Sequence, residues 1–133
     1  HLKQNIILGR NNMKEVKVLI KNGERLQSYN AWNKLMPVAV KGVGQNPDAF
    51  QLPPMVRVML PTDIKLPKGT KVYSNPEFSL KKGLCLVPGI QLILEDSEEN
   101  AVLYVNNVSD SLAIISNDDV IALADIPRKR KTD

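Results

Sequence analysis

The sequence predicts an all-β domain, a sandwich or barrel of short strands, and three observations predict it. Apolar runs of strand length recur at 84–87, 90–94, 101–105, 112–115 and 120–124. Turn-forming residues separate the strand-like runs at intervals of roughly 8 to 12 residues, the rhythm of sandwiches and barrels. No stretch sustains the 3.6-residue apolar period of a long amphipathic helix. The densest apolar region is 83–126, and it is expected to supply the packed centre.

Taken in order, residues 6–8 form a short apolar patch before Gly9 and Asn11-Asn12, which reads as a strand or arm and then a turn. The run 16–20, flanked and interrupted by lysines, ends at Asn22-Gly23, a dipeptide suited to the positive backbone angles of a tight hairpin turn. Its expected hairpin partner is 24–29. A short helical turn is expected over 31–36, ended by Pro37, with Trp32 plugging one end of the barrel and strand pattern resuming at 38–43. Gly, Asn, Pro, Asp and Gln dominate 42–54, which reads as a long surface loop with Asp48 its one acidic candidate. Strand character returns at 56–60 and 71–73, separated by the turn signal Pro67-Lys68-Gly69. Asn75-Pro76 is a break, and Leu80-Lys81-Lys82-Gly83 leads into the apolar region. Asn106-Asn107 reads as a turn or bulge between two of its strands.

A chain of 133 residues, 43% hydrophobic, has the length of one ordinary domain and can bury a core of its own. We expect one β-barrel domain over 1–126 and a basic tail or linker over 127–133. The one cysteine, Cys85, cannot form an internal disulfide and lies in a strand-like run, where a small buried hydrophobe and a reducing compartment are expected. No apolar run approaches the roughly 18 residues of a membrane span, so no membrane partner is expected, and the expected setting is cytoplasmic, nuclear or virion-associated. A first residue of histidine suggests an excised fragment, a processed polyprotein or a tag remnant.

The net charge of +4 is concentrated in Arg128, Lys129, Arg130 and Lys131, and the remainder is close to neutral. Such a run can hold phosphate backbones or act as a nuclear address, although a solvated end or linker is the plainer reading. One histidine and one cysteine make a zinc site improbable, and acyl transfer lacks its histidine base. The adjacent carboxylates Asp118-Asp119 and Glu98-Glu99 are expected to be solvated or capping groups rather than a catalytic pair. No phosphate loop is present, and no cofactor is expected.

Part of the chain resembles a known family. Asn107, Ser109, Asp110, Ile115 and Asp119-Val120-Ile121-Ala122 are similar, in type and spacing, to a segment of dUTP pyrophosphatases. Lys82-Gly83-Leu84 with Val87-Pro88-Gly89-Ile90, and Leu66-Pro67-Lys68-Gly69, resemble earlier stretches of that family, so that the likeness covers 64–126. The resemblance implies a distorted jelly-roll assembled as a trimer, with active sites between subunits. It also implies what is missing. Leu92 stands at the position of the family's catalytic aspartate, the segment 72–80 has no arginine for a phosphate-binding motif, and a basic run replaces the Gly-rich closing arm. Attack on a triphosphate needs a placed carboxylate and cations to hold developing charge.

The expected function is therefore non-catalytic: a domain of dUTPase-like fold, a pseudoenzyme, used for self-association as a trimer and for docking an unidentified protein, with a viral or retroelement polyprotein or capsid as the expected context. Its expected interface residues are Ile90, Leu92, Leu94, Val105 and Ile121. A divergent nucleotide pyrophosphatase using Glu95 or Asp96 is the second reading, and a nucleic-acid-binding module using Arg128, Lys129, Arg130 and Lys131 is the third.

Overall fold

A computed structural model of the chain describes residues 13–30 and 32–128. Side-chain alternation is the force that shapes it. In an extended strand successive side chains point to opposite faces, so a run with apolar residues at every second position can bury one face and solvate the other. Val16, Val18 and Ile20 do this, as do Val58 with Leu60 and Leu103 with Val105, while Leu26 is buried beside the polar Ser28, whose hydroxyl donates to Met36 O at 2.7 Å.

The described residues form eleven strands and one short helix. In chain order they are β1 (Met13–Lys17), β2 (Arg25–Tyr29), β3 (Leu35–Ala39), β4 (Ala49–Leu52), β5 (Arg57–Pro61), β6 (Lys71–Ser74), α1 (Pro76–Lys82), β7 (Leu84–Leu86), β8 (Ile90–Leu92), β9 (Val102–Asn107), β10 (Ala113–Ser116) and β11 (Val120–Asp125). The strands form a four-stranded sheet in the order β1-β11-β6-β8, a five-stranded sheet in the order β3-β2-β5-β9-β7, and the pair β10-β4. Every pairing between named strands is antiparallel.

All three sheets send side chains into one core. Val16, Val72 and Ala124 come from the first, Leu26, Val58, Leu60, Leu84, Leu103 and Val105 from the second, and Phe50, Leu52, Ala113 and Ile115 from the pair. Burying one such valine, leucine, isoleucine or phenylalanine stabilises a fold by about 1.5 to 3 kcal/mol, so this shared cluster dominates the energetics. Asn107, itself buried, ties the sheets together at one end. Its Nδ2 donates to Leu52 O at 2.9 Å and Ser111 O at 2.8 Å, and its Oδ1 accepts from Ser109 N at 3.0 Å.

The all-β expectation holds, while that of a closed barrel does not, because each sheet among the described residues has two open edges. The expected hairpin between 16–20 and 24–29 is also absent. The Asn22-Gly23 turn forms, with Gly23 at φ +86° and Glu24 N donating to Lys21 O, but it carries the chain from one sheet to another. Strand β1 pairs with β11, and β2 pairs with β3 and β5. Both strands have an inward face to bury, and lying in different layers lets each present it to the core from its own side.

The segment 42–54 is less loop-like than its composition suggests. Within it Ala49, Phe50 and Leu52 are buried in β4, paired in register with β10. Asp48 beside them is structural: its Oδ1 accepts from Asn22 N at 2.8 Å and latches the turn. Trp32, expected as a barrel plug, is 81% exposed on the loop between β2 and β3. Of the helical turn expected over 31–36, Ala31 lies outside the described residues and Leu35 and Met36 open β3 instead. The expected arm at 6–8 also lies outside them.

Asn75-Pro76, read as a break, starts the helix. Asn75 Oδ1 accepts from Glu77 N at 3.3 Å, Pro76 occupies the first turn where no N–H is required, and Gly83 closes the helix at φ +68°. Gly83 also has no room for a side chain, since a Cβ there would meet Ser109 Cβ at 2.6 Å. Asn106 and Asn107, expected in a turn or bulge, are the last residues of β9.

Candidate functional site: an apolar sheet edge and a cavity at Arg57

Two surface features stand apart from ordinary solvated surface. The first is the edge strand β8. Ile90 and Leu92 are 59% and 54% exposed, and Leu94, just past the strand end, is 70% exposed. They recur at every second residue, so they share one face, whereas Ile93 between them packs partly against the core. Register extends this face across the sheet: Ile90 pairs with Tyr73, which pairs with Leu123, and Leu92 pairs with Lys71, which pairs with Asp125. Among the described residues strand β8 has only β6 as a neighbour, so that its other side carries backbone groups with no strand partner there. Proteins ordinarily protect such an edge with charges, but no residue from 84 to 94 is charged.

The run 90–94 holds four apolar residues and Gln91, and within one chain only Ile93 of the four packs against the core. Val105 and Ile121, expected at the interface with Ile90, Leu92 and Leu94, require correction. They are 1% and 2% exposed, turned into the core by their position on β9 and β11, and have no surface to offer a second subunit. Cys85, expected to be buried, is half-buried on the outward side of β7 between the buried Leu84 and Leu86.

The second feature is a cavity of about 350 Å³ lined by Asn30, Asn33, Met55, Arg57, Asn106, Asn107 and Val108. Arg57 stands on the outward face of the five-stranded sheet, paired across the strands with Tyr29 on one side and Asn106 on the other. Its guanidinium carbon lies 5.3 Å from the ring centre of Tyr29 and 5.7 Å from that of Tyr104, within cation–π range of both. One terminal nitrogen donates to Asn33 Oδ1 at 3.3 Å. The Arg57 Nε is buried without a hydrogen-bond partner, the one such side-chain atom among the described residues. An unsatisfied buried donor costs about 1 to 3 kcal/mol. Two lining residues, Asn33 at φ +60° and Met55 at φ +63°, have left-handed backbones that non-glycine side chains seldom adopt.

Sequence reasoning did not single out Arg57, Tyr29 or Tyr104. The available signal was an arginine opening a strand-like run of otherwise apolar residues, but the two tyrosines are far from it in sequence and only strand pairing brings them together.

The acidic candidates are occupied structurally. Asp119 Oδ2 accepts from Lys82 Nζ at 2.8 Å and from Ser116 N at 2.9 Å, and Lys82 Nζ also donates to Ile114 O at 2.7 Å, fastening α1 to the β10–β11 turn. Asp96 Oδ1 accepts from Lys68 N at 2.8 Å, and Glu95 lines a shallow groove with Glu99, where no cation lines it among the described residues. Asn107, Ser109 and Ser111 knot the turn after β9. No group of His, Cys, Asp and Glu suited to a metal ion occurs among the described residues. No described helix is long and apolar enough to cross a membrane. Arg128 is exposed, while Lys129, Arg130 and Lys131 lie outside the described residues. Compared with known families and with curated proteins, the chain matches no family model and no relative.

Proposed function

We propose that the chain is a non-catalytic association domain that assembles with copies of itself through the β8 edge and presents the assembly to a protein partner. The observation that carries this reading is the exposed row Ile90, Leu92 and Leu94 on an edge with no charge to protect it. A second chain laid against it would satisfy the open backbone groups and remove the apolar side chains from water together. The position Leu92, where dUTP pyrophosphatases have their catalytic aspartate, belongs to this same row, which favours association over catalysis there.

The resemblance to that family supplies the finer parts of the proposal: a dUTPase-like jelly-roll, threefold assembly, and service in a viral or retroelement polyprotein or capsid. Light scattering at micromolar concentration is expected to return three times the 14.8 kDa chain mass. Leu92→Lys is expected to return the single-chain mass, because a lysine on the shared face would bring like charges together in the assembly. A single-chain mass for the unaltered protein across that range overturns the self-association reading.

A further inference from the structure

The cavity at Arg57 has a polarity that can be deduced from its hydrogen bonds. Asn30 Oδ1 accepts from Trp32 N at 2.9 Å and Lys34 N at 3.0 Å, and Asn33 Oδ1 accepts from Arg57. Only the oxygen of a carboxamide can accept, so these bonds fix both amides with their oxygens used and their NH₂ groups left over. Neither NH₂ group has a partner among the described residues. Asn107 is spent on the protein at both ends of its amide. What remains for an occupant is the guanidinium, the two NH₂ groups and the whole carboxamide of Asn106. Among the described residues the lining has one cation, no acidic side chain and a surplus of donors over acceptors. Met55 and Val108, 62% and 57% exposed, add apolar surface.

We propose that this cavity binds the carboxylate of a small aliphatic acid. A carboxylate accepts at both oxygens and suits the planar fork of a guanidinium, which the Tyr29 and Tyr104 rings hold in place. The charge count selects it over a phosphate monoester: one guanidinium balances a singly charged carboxylate, and among the described residues no second cation lines the cavity for a dianion. The aliphatic part has Met55 and Val108 to lie against. This site stands on the five-stranded sheet and does not require self-association through β8.

The test is a ¹H–¹⁵N NMR titration of the full chain with sodium butyrate, with sodium chloride at matched ionic strength as the reference and inorganic phosphate as the competing anion. The expected result is saturable shifts at the Asn30 and Asn33 side-chain amides and the Arg57 Nε–H, with a dissociation constant in the millimolar range or tighter. Arg57→Gln is expected to weaken binding by about tenfold or more. Asn106→Asp, which sets a carboxylate beside Arg57 and leaves the core untouched, is expected to do the same, and it decides the matter if Arg57→Gln does not fold. Shifts that do not saturate, shifts that chloride reproduces, equal affinity in a folded variant, or tighter binding of phosphate than of butyrate would each overturn the proposal.

Discussion

The outer faces of the two larger sheets follow the same strand alternation and arrive at opposite chemistry. On the four-stranded sheet the apolar residues crowd toward one edge: the row Ile90, Tyr73, Leu123, Glu15 begins apolar at β8 and ends charged at β1. On the five-stranded sheet the row Leu35, Tyr29, Arg57, Asn106, Cys85 places a cation at its centre, on β5. An apolar side chain at an edge has neighbours on one side only and can be covered by something large. A charge at a sheet centre is enclosed by rings and amides on both sides, and what reaches it is small. Position within a sheet therefore separates the two features more sharply than residue type does.

The comparison can be broken at its foundation, because both faces rest on one core. Leu103→Ala, at a position 1% exposed, is expected to lower stability by about 3 kcal/mol through lost burial and a residual cavity. Urea unfolding should show this as a lower midpoint at unchanged slope. Asn107→Ala should act on one side of the comparison. It leaves Leu52 O and Ser111 O without their donor and loosens the lip of the Arg57 cavity, at a cost of about 2 kcal/mol. Carboxylate binding should fall with it while the assembled mass stays unchanged.

Smaller effects sharpen the contrast. Arg57→Met removes the contacts with Tyr29 and Tyr104 but also an unsatisfied buried Nε, so the net change is expected to stay within about 1 kcal/mol. Thermal unfolding of the assembled and single-chain species would check this. Leu92→Lys, on the exposed strand edge, should change the stability of one folded chain by no more than about 0.5 kcal/mol while abolishing assembly. If it instead unfolds the chain, β8 is part of the core energetics and the distinction between the two faces fails.

Much of the fold was legible because an apolar run bounded by turn residues is a local signal. The runs 56–60, 101–105 and 112–115 mark those strands before any partner is known. The strand at Ala49–Leu52 was hidden by the Gly, Asn and Pro around it, and α1 by a Pro that looked like a break but served as a helix start. The apolar run 90–94 could be recognised as unusual, but not which members would be exposed. Val105 and Ile121 were as apolar as Ile90 and Leu92, and only the pairing of β9 and β11 inside their sheets turned them inward.

The sequence by itself determined the β class, the strand-length apolar runs, the positions of several turns and the absence of charge from 84 to 94. The tertiary structure alone decided that the Asn22-Gly23 turn joins two sheets, that β8 is an edge, and that Tyr29, Arg57 and Tyr104 meet. The reason is range. Alternation and turn preference act between residues a few positions apart, whereas strand order depends on which inward faces fill a common core together, a property no single segment carries.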